Sequence, residues 1–295
     1  MHVGRSVPPG SVSAAVVELR LVELRLAGTF RVVRDGTELT DGEIGSRKSR
    51  TLLKLLAVER PALVPVDRIV EVLWPGGPPA APEQNVATLV SRLRAVLGAG
   101  LIEGGRQGYR PAGGPEILVD LDAAARFCDQ AEGKLATAAA VGLAAAERAH
   151  QLLSSGTAIG DEPYATWADP AREEVRELLR RVRLVAAEAA MATGDPQLAA
   201  GHAEAAMAAD PLDEAAHRWY MSASVAVGEQ GKALAAYEAL RQRLSRELGA
   251  DPAPQTRDLH LAILREQESD LAGGRGGRPG SRQCGPAARS GQHPA

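Results

Sequence analysis

Two adjacent stretches decide the fold. The first is Pro82-Glu83-Gln84-Asn85-Val86-Ala87-Thr88-Leu89-Val90-Ser91-Arg92-Leu93-Arg94-Ala95-Val96-Leu97-Gly98, and the second is Leu101-Ile102-Glu103-Gly104-Gly105-Arg106-Gln107-Gly108-Tyr109-Arg110. Val86, Val90, Leu93 and Leu97 recur at helical spacing and form one apolar stripe. Pro82 suits a first helical turn and Gly98 a helix stop, so the spacing predicts a helix over about 83–97. The second stretch reads as a strand, a Gly-rich tip and a returning strand.

Two more helices are predicted upstream. One covers about 47–59, with Leu52, Leu53, Leu55 and Leu56 on one side, Ser46 as its cap and Pro61 beyond its end. The other covers about 66–74, with Ile69, Val70, Leu73 and Trp74 inward, and is broken by Pro75-Gly76-Gly77-Pro78-Pro79. Before them, Val17 to Leu26 alternates apolar and polar residues, Arg31-Val32-Val33-Arg34 continues that pattern, and Asp35-Gly36 reads as a tight hairpin turn. A sheet, three helices and a terminal hairpin make a winged helix over 17–113, behind a disordered lead over 1–16.

The chain has 295 residues, enough for two cores, with 45% hydrophobic and 24% charged residues, ordinary for a globular protein. The net charge of −3 divides unevenly: +4 over residues 1–113, −11 over 114–270 and +4 over 271–295. A basic first module points to an anionic partner, and the acidic one to a different task. Three Trp, four Tyr and two Phe are too few for recognition of nucleic acid by stacking on an open sheet.

Residues 117–267 read as nearly continuous helix: about 120–132, 136–154, 169–193, 196–209, 213–228, 230–248 and 254–268. Gly194, Ala199 and Ala203 recur as Gly228, Ala233 and Tyr237, each 34 residues later, which is the tetratricopeptide period. The expected fold class is therefore mainly α with a small β component: an N-terminal winged helix, then an all-α tetratricopeptide-like domain over 117–268. The Gly/Arg/Pro-rich stretch 271–295 is expected to be a disordered tail.

On the helix over 83–97, the side opposite the apolar stripe carries Gln84, Thr88, Ser91 and Ala95, with Asn85 and Arg92 on one flank and Arg94 on the other. Small residues let a helix approach the floor of a major groove about 12 Å wide. Gln84 or Asn85 suits adenine and Arg92 suits guanine. Because Arg92 and Arg94 diverge, at least one is expected on phosphate. Arg47, Lys48, Arg50 and Lys54 form a second, backbone-facing cluster. Arg106 at the hairpin tip is placed to enter the minor groove.

With these features stated, residues 22–113 resemble the OmpR/PhoB-type winged-helix domain, in the version found in the Streptomyces antibiotic regulatory protein (SARP) family. The resemblance rests on Ser49 to Leu56, Val66 to Trp74, Asn85 to Arg94 and Gly108-Tyr109-Arg110. It implies that Arg92 and Arg94 lie on the recognition helix and that Tyr109 supports the wing. Such domains often carry an arginine four residues before the tyrosine, where this chain has Gly105, with Arg106 one place later. The helical part resembles the bacterial transcriptional activator domain (BTAD). Here the matching stretches are Val119-Asp120-Leu121-Asp122, Asp210 to Glu214, Lys232 to Tyr237, Leu244 to Pro252 and Leu259 to Leu264. Family members often have a Trp-Arg-Gly-like segment where this chain reads Leu153-Ser154-Ser155-Gly156.

Chemistry is expected to be absent. The chain has no H-E-x-x-H, no G-x-S-x-G and no P-loop, and its two cysteines, Cys128 and Cys284, are far apart. No enzyme, cofactor or metal is expected. No apolar run approaches a membrane span, and a cytoplasmic, nucleoid-associated location follows. The expected function is a sequence-specific DNA-binding transcriptional regulator and activator. The resemblance implies direct repeats in promoters of antibiotic (secondary-metabolite) gene clusters, with the helical domain supplying a homodimer contact, an RNA polymerase contact or both. The alternatives are a ligand-sensing regulator whose helical groove takes a small molecule, and a protein-interaction adaptor that no longer binds DNA.

Overall fold

The computed structural model describes residues 21–274, with side chains through 267. The expected lead over 1–16, the start of the first strand and the tail beyond 274 lie outside the described residues. The chain forms two compact units, one reaching to Gly194 and the other beginning at Asp195.

The first unit opens on an antiparallel meander of β1 (Val22–Arg25), β2 (Arg31–Arg34) and β3 (Thr37–Glu38). Asp35 and Gly36 turn the chain between β2 and β3 with φ of 52° and 80°. Both central residues are thus left-handed, as a two-residue hairpin needs. A short helix not expected from the sequence, α1 (Asp41–Ile44), follows, held by a reciprocal Thr40–Glu43 capping box. Then come α2 (Arg47–Val58), capped by Ser46 as expected, α3 (Val66–Leu73) and α4 (Pro82–Leu97). A second sheet joins β4 (Val64–Pro65) to the wing hairpin of β5 (Ile102–Gly105) and β6 (Gly108–Pro111), in the order β4-β6-β5.

Residues Ile117–Val119 form β7, which pairs in parallel with β1 and completes a sheet of order β3-β2-β1-β7. The chain therefore returns to the first sheet after the wing and before its long helices begin. It continues into α5 (Asp120–Lys134), α6 (Ala139–Leu153), a 3-10 turn at Thr166–Ala168 and α7 (Asp169–Ala192). One hydrophobic core runs from Val22 and Leu24 through Leu52, Leu55, Ile69 and Leu93 to Leu121, Leu153 and Val182.

Polar contacts tie the winged helix to the segment from α5 to α7, among them Phe30 N to Asp161 at 3.2 Å. The buried Asp120 carboxylate accepts from the backbone N–H groups of Leu26 and Ala27 across 94 and 93 residues of chain. Lys54 was expected to face DNA; instead it is 4% exposed and pairs with Asp161 and Glu162. It lies within the buried run Leu52–Val58 of α2, so its ammonium is turned into the protein and needs those carboxylates. Arg60 reaches Asp122 at 2.9 Å and Glu174 at 2.8 Å. The backbone is close as well. Gly28 sits at φ +76°, its carbonyl accepts from Gly160 N at 2.8 Å, and a Cβ there would lie 2.6 Å from Ser155 O.

The second unit is α8 (Pro196–Ala209), α9 (Glu214–Ala226), α10 (Gln230–Leu248) and α11 (Pro254–Gly274). The last helix reaches Gly274 rather than the expected 268. The 34-residue repeat has a structural counterpart: Gly194 and Gly228 both follow helix ends at φ +80°. Ala199, Ala203 and Ala233 are fully buried and Tyr237 nearly so, as close helix crossings require. His202 and His217 are buried here, and the His217 ring bonds to Asp213 O at 3.0 Å.

Candidate nucleic-acid interface

α4 buries Val86, Leu89, Val90, Leu93 and Leu97 against the winged-helix core. That fixes its rotation and leaves Gln84, Asn85, Ala87, Thr88, Ser91, Arg92 and Ala95 exposed together. Two of the polar residues are already partly engaged along the helix: Asn85 Nδ2 donates to Ala81 O at 2.9 Å and Thr88 Oγ1 to Gln84 O at 2.8 Å. The Asn85 carbonyl, Gln84, Ser91 and Arg92 remain outward. Pro82 opens the helix, and its first turn carries the exposed Glu83.

The expected basic residues divide into two groups. Arg47, Lys48, Arg92 and Arg106 are exposed, with Lys48 Nζ resting 4.3 Å from the centre of the Trp74 ring. Arg50 turns inward: it donates to Gly45 O at 2.7 Å and pairs with Asp41 at 3.3 Å, bracing α1 against α2. Arg94 is also engaged within the protein. Its Nε and a terminal nitrogen donate to Ile102 O at 2.9 and 2.7 Å, and that terminal nitrogen lies 3.3 Å from Gly104 O. Tyr109 is 6% exposed, its ring 5.9 Å below the Arg94 guanidinium. Beside the wing tip, Arg110 and Glu103 neutralise one another at 2.9 Å.

The residues that hold the winged helix in place were not read in that role from the sequence. Asp120, Arg60, Asp161, Glu162 and Glu174 hold the winged helix against α5–α7. Apart from Asp120, which stands in the Val119–Asp122 stretch of the activator-domain resemblance, their only sequence signal is charge, because their partners lie about a hundred residues away in the chain. Burial raises the Asp120 carboxyl above its ordinary range, against three backbone N–H groups that favour its ionised form. Burial also raises Glu174, with the Arg60 guanidinium opposing. Cys128, in the interior of α5, is pushed up to about 11 by desolvation. Among the described residues no group of His, Cys, Asp and Glu is arranged to hold a metal ion, and no helix is long and apolar enough to cross a membrane.

The bacterial transcriptional activator domain family (BTAD) matches residues 119–264. The transcriptional regulatory protein MoaR1 of Mycobacterium tuberculosis is 28% identical over 86% of this chain and 83% of its own. The transcriptional regulatory protein EmbR of the same species is 30% identical over 87% of this chain, which spans 66% of EmbR. The regulatory protein AfsR of Streptomyces coelicolor is 33% identical over 80% of this chain, and only 24% of AfsR is spanned. The solved structure of Mycobacterium tuberculosis EmbR, in complex with a low-affinity phosphopeptide, superposes with a TM-score of 0.66 and 26% identity. That match covers 87% of this chain and 70% of the solved one. A winged helix with an outward small-residue face on α4, joined to stacked helices matching the activator domain and to relatives that are transcriptional regulators, fixes the assignment: the chain belongs to the SARP family of transcriptional regulators.

Proposed function

We propose that the protein binds duplex DNA sequence-specifically and activates a secondary-metabolite gene cluster, acting on the nucleoid. The observation that carries this reading is the exposed face of α4, with its small residues and Arg92, set beside exposed Arg47 and Lys48 on α2 and Arg106 at the wing tip. Gln84, Asn85, Ser91 and Arg92 would read base edges in the major groove. Arg47 and Lys48 would hold phosphate, and Arg106 would enter the minor groove. Arg50, Arg94 and Tyr109 would support these contacts from behind.

Charge also bears on how it binds. If Arg47 and Lys48 each neutralise a phosphate, the affinity of one winged helix falls with salt at a log–log slope of about −1.8. That is modest for specific binding. Two copies on adjacent direct repeats would gain through effective concentration, so promoter repeats fit this surface better than single sites. The helical part would supply the contact between copies, or the contact to RNA polymerase.

Selection of genomic fragments by the purified protein at about 0.15 M salt tests the reading. Enrichment of promoter fragments sharing a repeated motif, lost in Arg92→Ala, is expected. A folded protein that enriches nothing, or an Arg92→Ala variant that enriches the same fragments equally, overturns it.

A further inference from the structure

Arg94 lies in the last turn of α4, and its side chain leaves the helix toward the wing rather than toward the exposed face. The reason lies in the hairpin. β5 is an edge strand: β6 flanks it on one side and, among the described residues, no strand flanks the other. Leu101 O accepts from Ala112 N, so alternation along the strand turns the carbonyls of Ile102 and Gly104 to the open edge. A guanidinium is a planar fork of donors, able to satisfy two such carbonyls together while its face rests on a ring. Arg94 does both, with Ile102 O, Gly104 O and the Tyr109 ring as its partners. At Gly104 the hairpin is too tight for any side chain, since a Cβ there would meet Gly108 O at 2.2 Å. The tip that carries Arg106 therefore extends from a tight hairpin whose base is set by buried Leu101, Ile102 and Tyr109 and by β4, and Arg94 hydrogen-bonds its open edge to α4.

We propose that Arg94 is a positioning residue: it sets the wing tip, and with it Arg106, at a fixed place beside the reading face of α4, and does not itself touch DNA. The inference rests on the DNA-binding reading above. It makes major-groove and minor-groove recognition a single event, because the residue that joins them is anchored on the recognition helix at one end and on the wing at the other.

The test compares Arg94→Ala, Arg94→Lys, Arg106→Ala and the Arg94→Ala/Arg106→Ala double variant on an operator recovered by fragment selection. Deuterium uptake of residues 102–110 is measured on the same proteins without DNA. Arg94→Lys keeps the charge and the helix but loses the fork, so it is expected to weaken binding as much as Arg94→Ala does, by about 10-fold. The double variant is expected to bind no more weakly than Arg106→Ala alone, because a displaced wing has already lost the Arg106 contact. Uptake in the wing is expected to rise in both Arg94 variants while α2 stays protected. Wild-type affinity in Arg94→Lys, multiplying losses in the double variant, or unchanged wing uptake would each overturn the proposal. A wild-type protein that selects no duplex overturns the DNA reading and this proposal with it. That failure is seen in the selection itself, separately from the exchange measured on free protein.

Discussion

Replacing Asp120 with alanine tests how the winged helix is fastened to the helices behind it. The carboxylate accepts from Leu26 N at 2.9 Å through both oxygens, from Ala27 N at 2.9 Å and from Leu121 N at 2.9 Å. Leu26 and Ala27 are 0% and 1% exposed, so water cannot take the carboxylate's place without opening the core. A hydrogen bond to a charged group contributes about 1.5–3 kcal/mol, and a buried donor left without a partner costs about 1–3 kcal/mol. Against this, burial raises the Asp120 carboxyl, so the ionised group carries a desolvation cost that alanine removes. With two long-range donors orphaned and that relief subtracted, the expected loss is about 3–5 kcal/mol. That is a large part of the ~5–15 kcal/mol that holds a typical domain together. Asp120→Asn keeps an accepting oxygen and is expected to lose about 1–2 kcal/mol. The assay is urea unfolding followed by tryptophan fluorescence in a Trp219→Phe background, so that only Trp74 and Trp167 of the first unit report. A loss below about 1 kcal/mol for the alanine variant, at an unchanged slope, would refute the reasoning.

Three further outcomes are expected. Because burial raises the Asp120 carboxyl, the folded chain binds that proton more tightly than the unfolded chain. Its contribution to stability is therefore full below the ordinary carboxylate pKa of about 4 and is lost as pH rises through the raised folded value. The stability difference between wild type and Asp120→Asn should accordingly shrink as pH rises from about 4, and a difference constant with pH in urea titrations would count against it. Gly28→Ala forces a Cβ to 2.6 Å from Ser155 O at a φ of +76°. It should cost at least about 2 kcal/mol in the same unfolding assay, and a near-neutral result would mean that the loop over 155–161 is free to withdraw. Cys128, with its thiol pushed up to about 11 and its side chain buried, should resist iodoacetamide at neutral pH until the chain is unfolded. Peptide mapping that finds it alkylated in native protein as fast as a free thiol would contradict its place in the core.

Local signals carried much of the fold into the sequence. The limits of α8 and α10 are the expected 196–209 and 230–248, with Pro196 opening the one and Gly249 closing the other, because a proline or glycine acts on its own backbone and needs no distant partner. Ser46 and Asp35-Gly36 were legible for the same reason. What escaped depends on distant residues. β4 and β7 are two and three residues long and exist only through their partners, Gly108 and Tyr109 for one and β1 for the other. Lys54 follows Arg47, Lys48 and Arg50 closely enough to look like one of them, yet its carboxylate partners lie 107 and 108 residues onward. The candidate site was legible as a set of outward residues on one helix face. The division of its arginines was not, since whether a guanidinium faces outward or braces a carbonyl depends on where the edge of β5 lies.

The parallel addition of β7 to β1 bears on how this module can be inherited and exchanged. A fragment ending at residue 113 would keep all the helices of the winged helix and its wing, yet it would uncover one side of β1 over Val22, Glu23 and Leu24. Val22 N would lose Glu116 O, its acceptor at 2.8 Å, and the sheet beside the buried Val22 and Leu24 would become a bare edge ready to pair with another chain. Recombination that joins this winged helix to a different body must therefore cut beyond Asp120, carrying the first turn of α5 with it. A graft cut at the wing is expected to expose that edge and to aggregate.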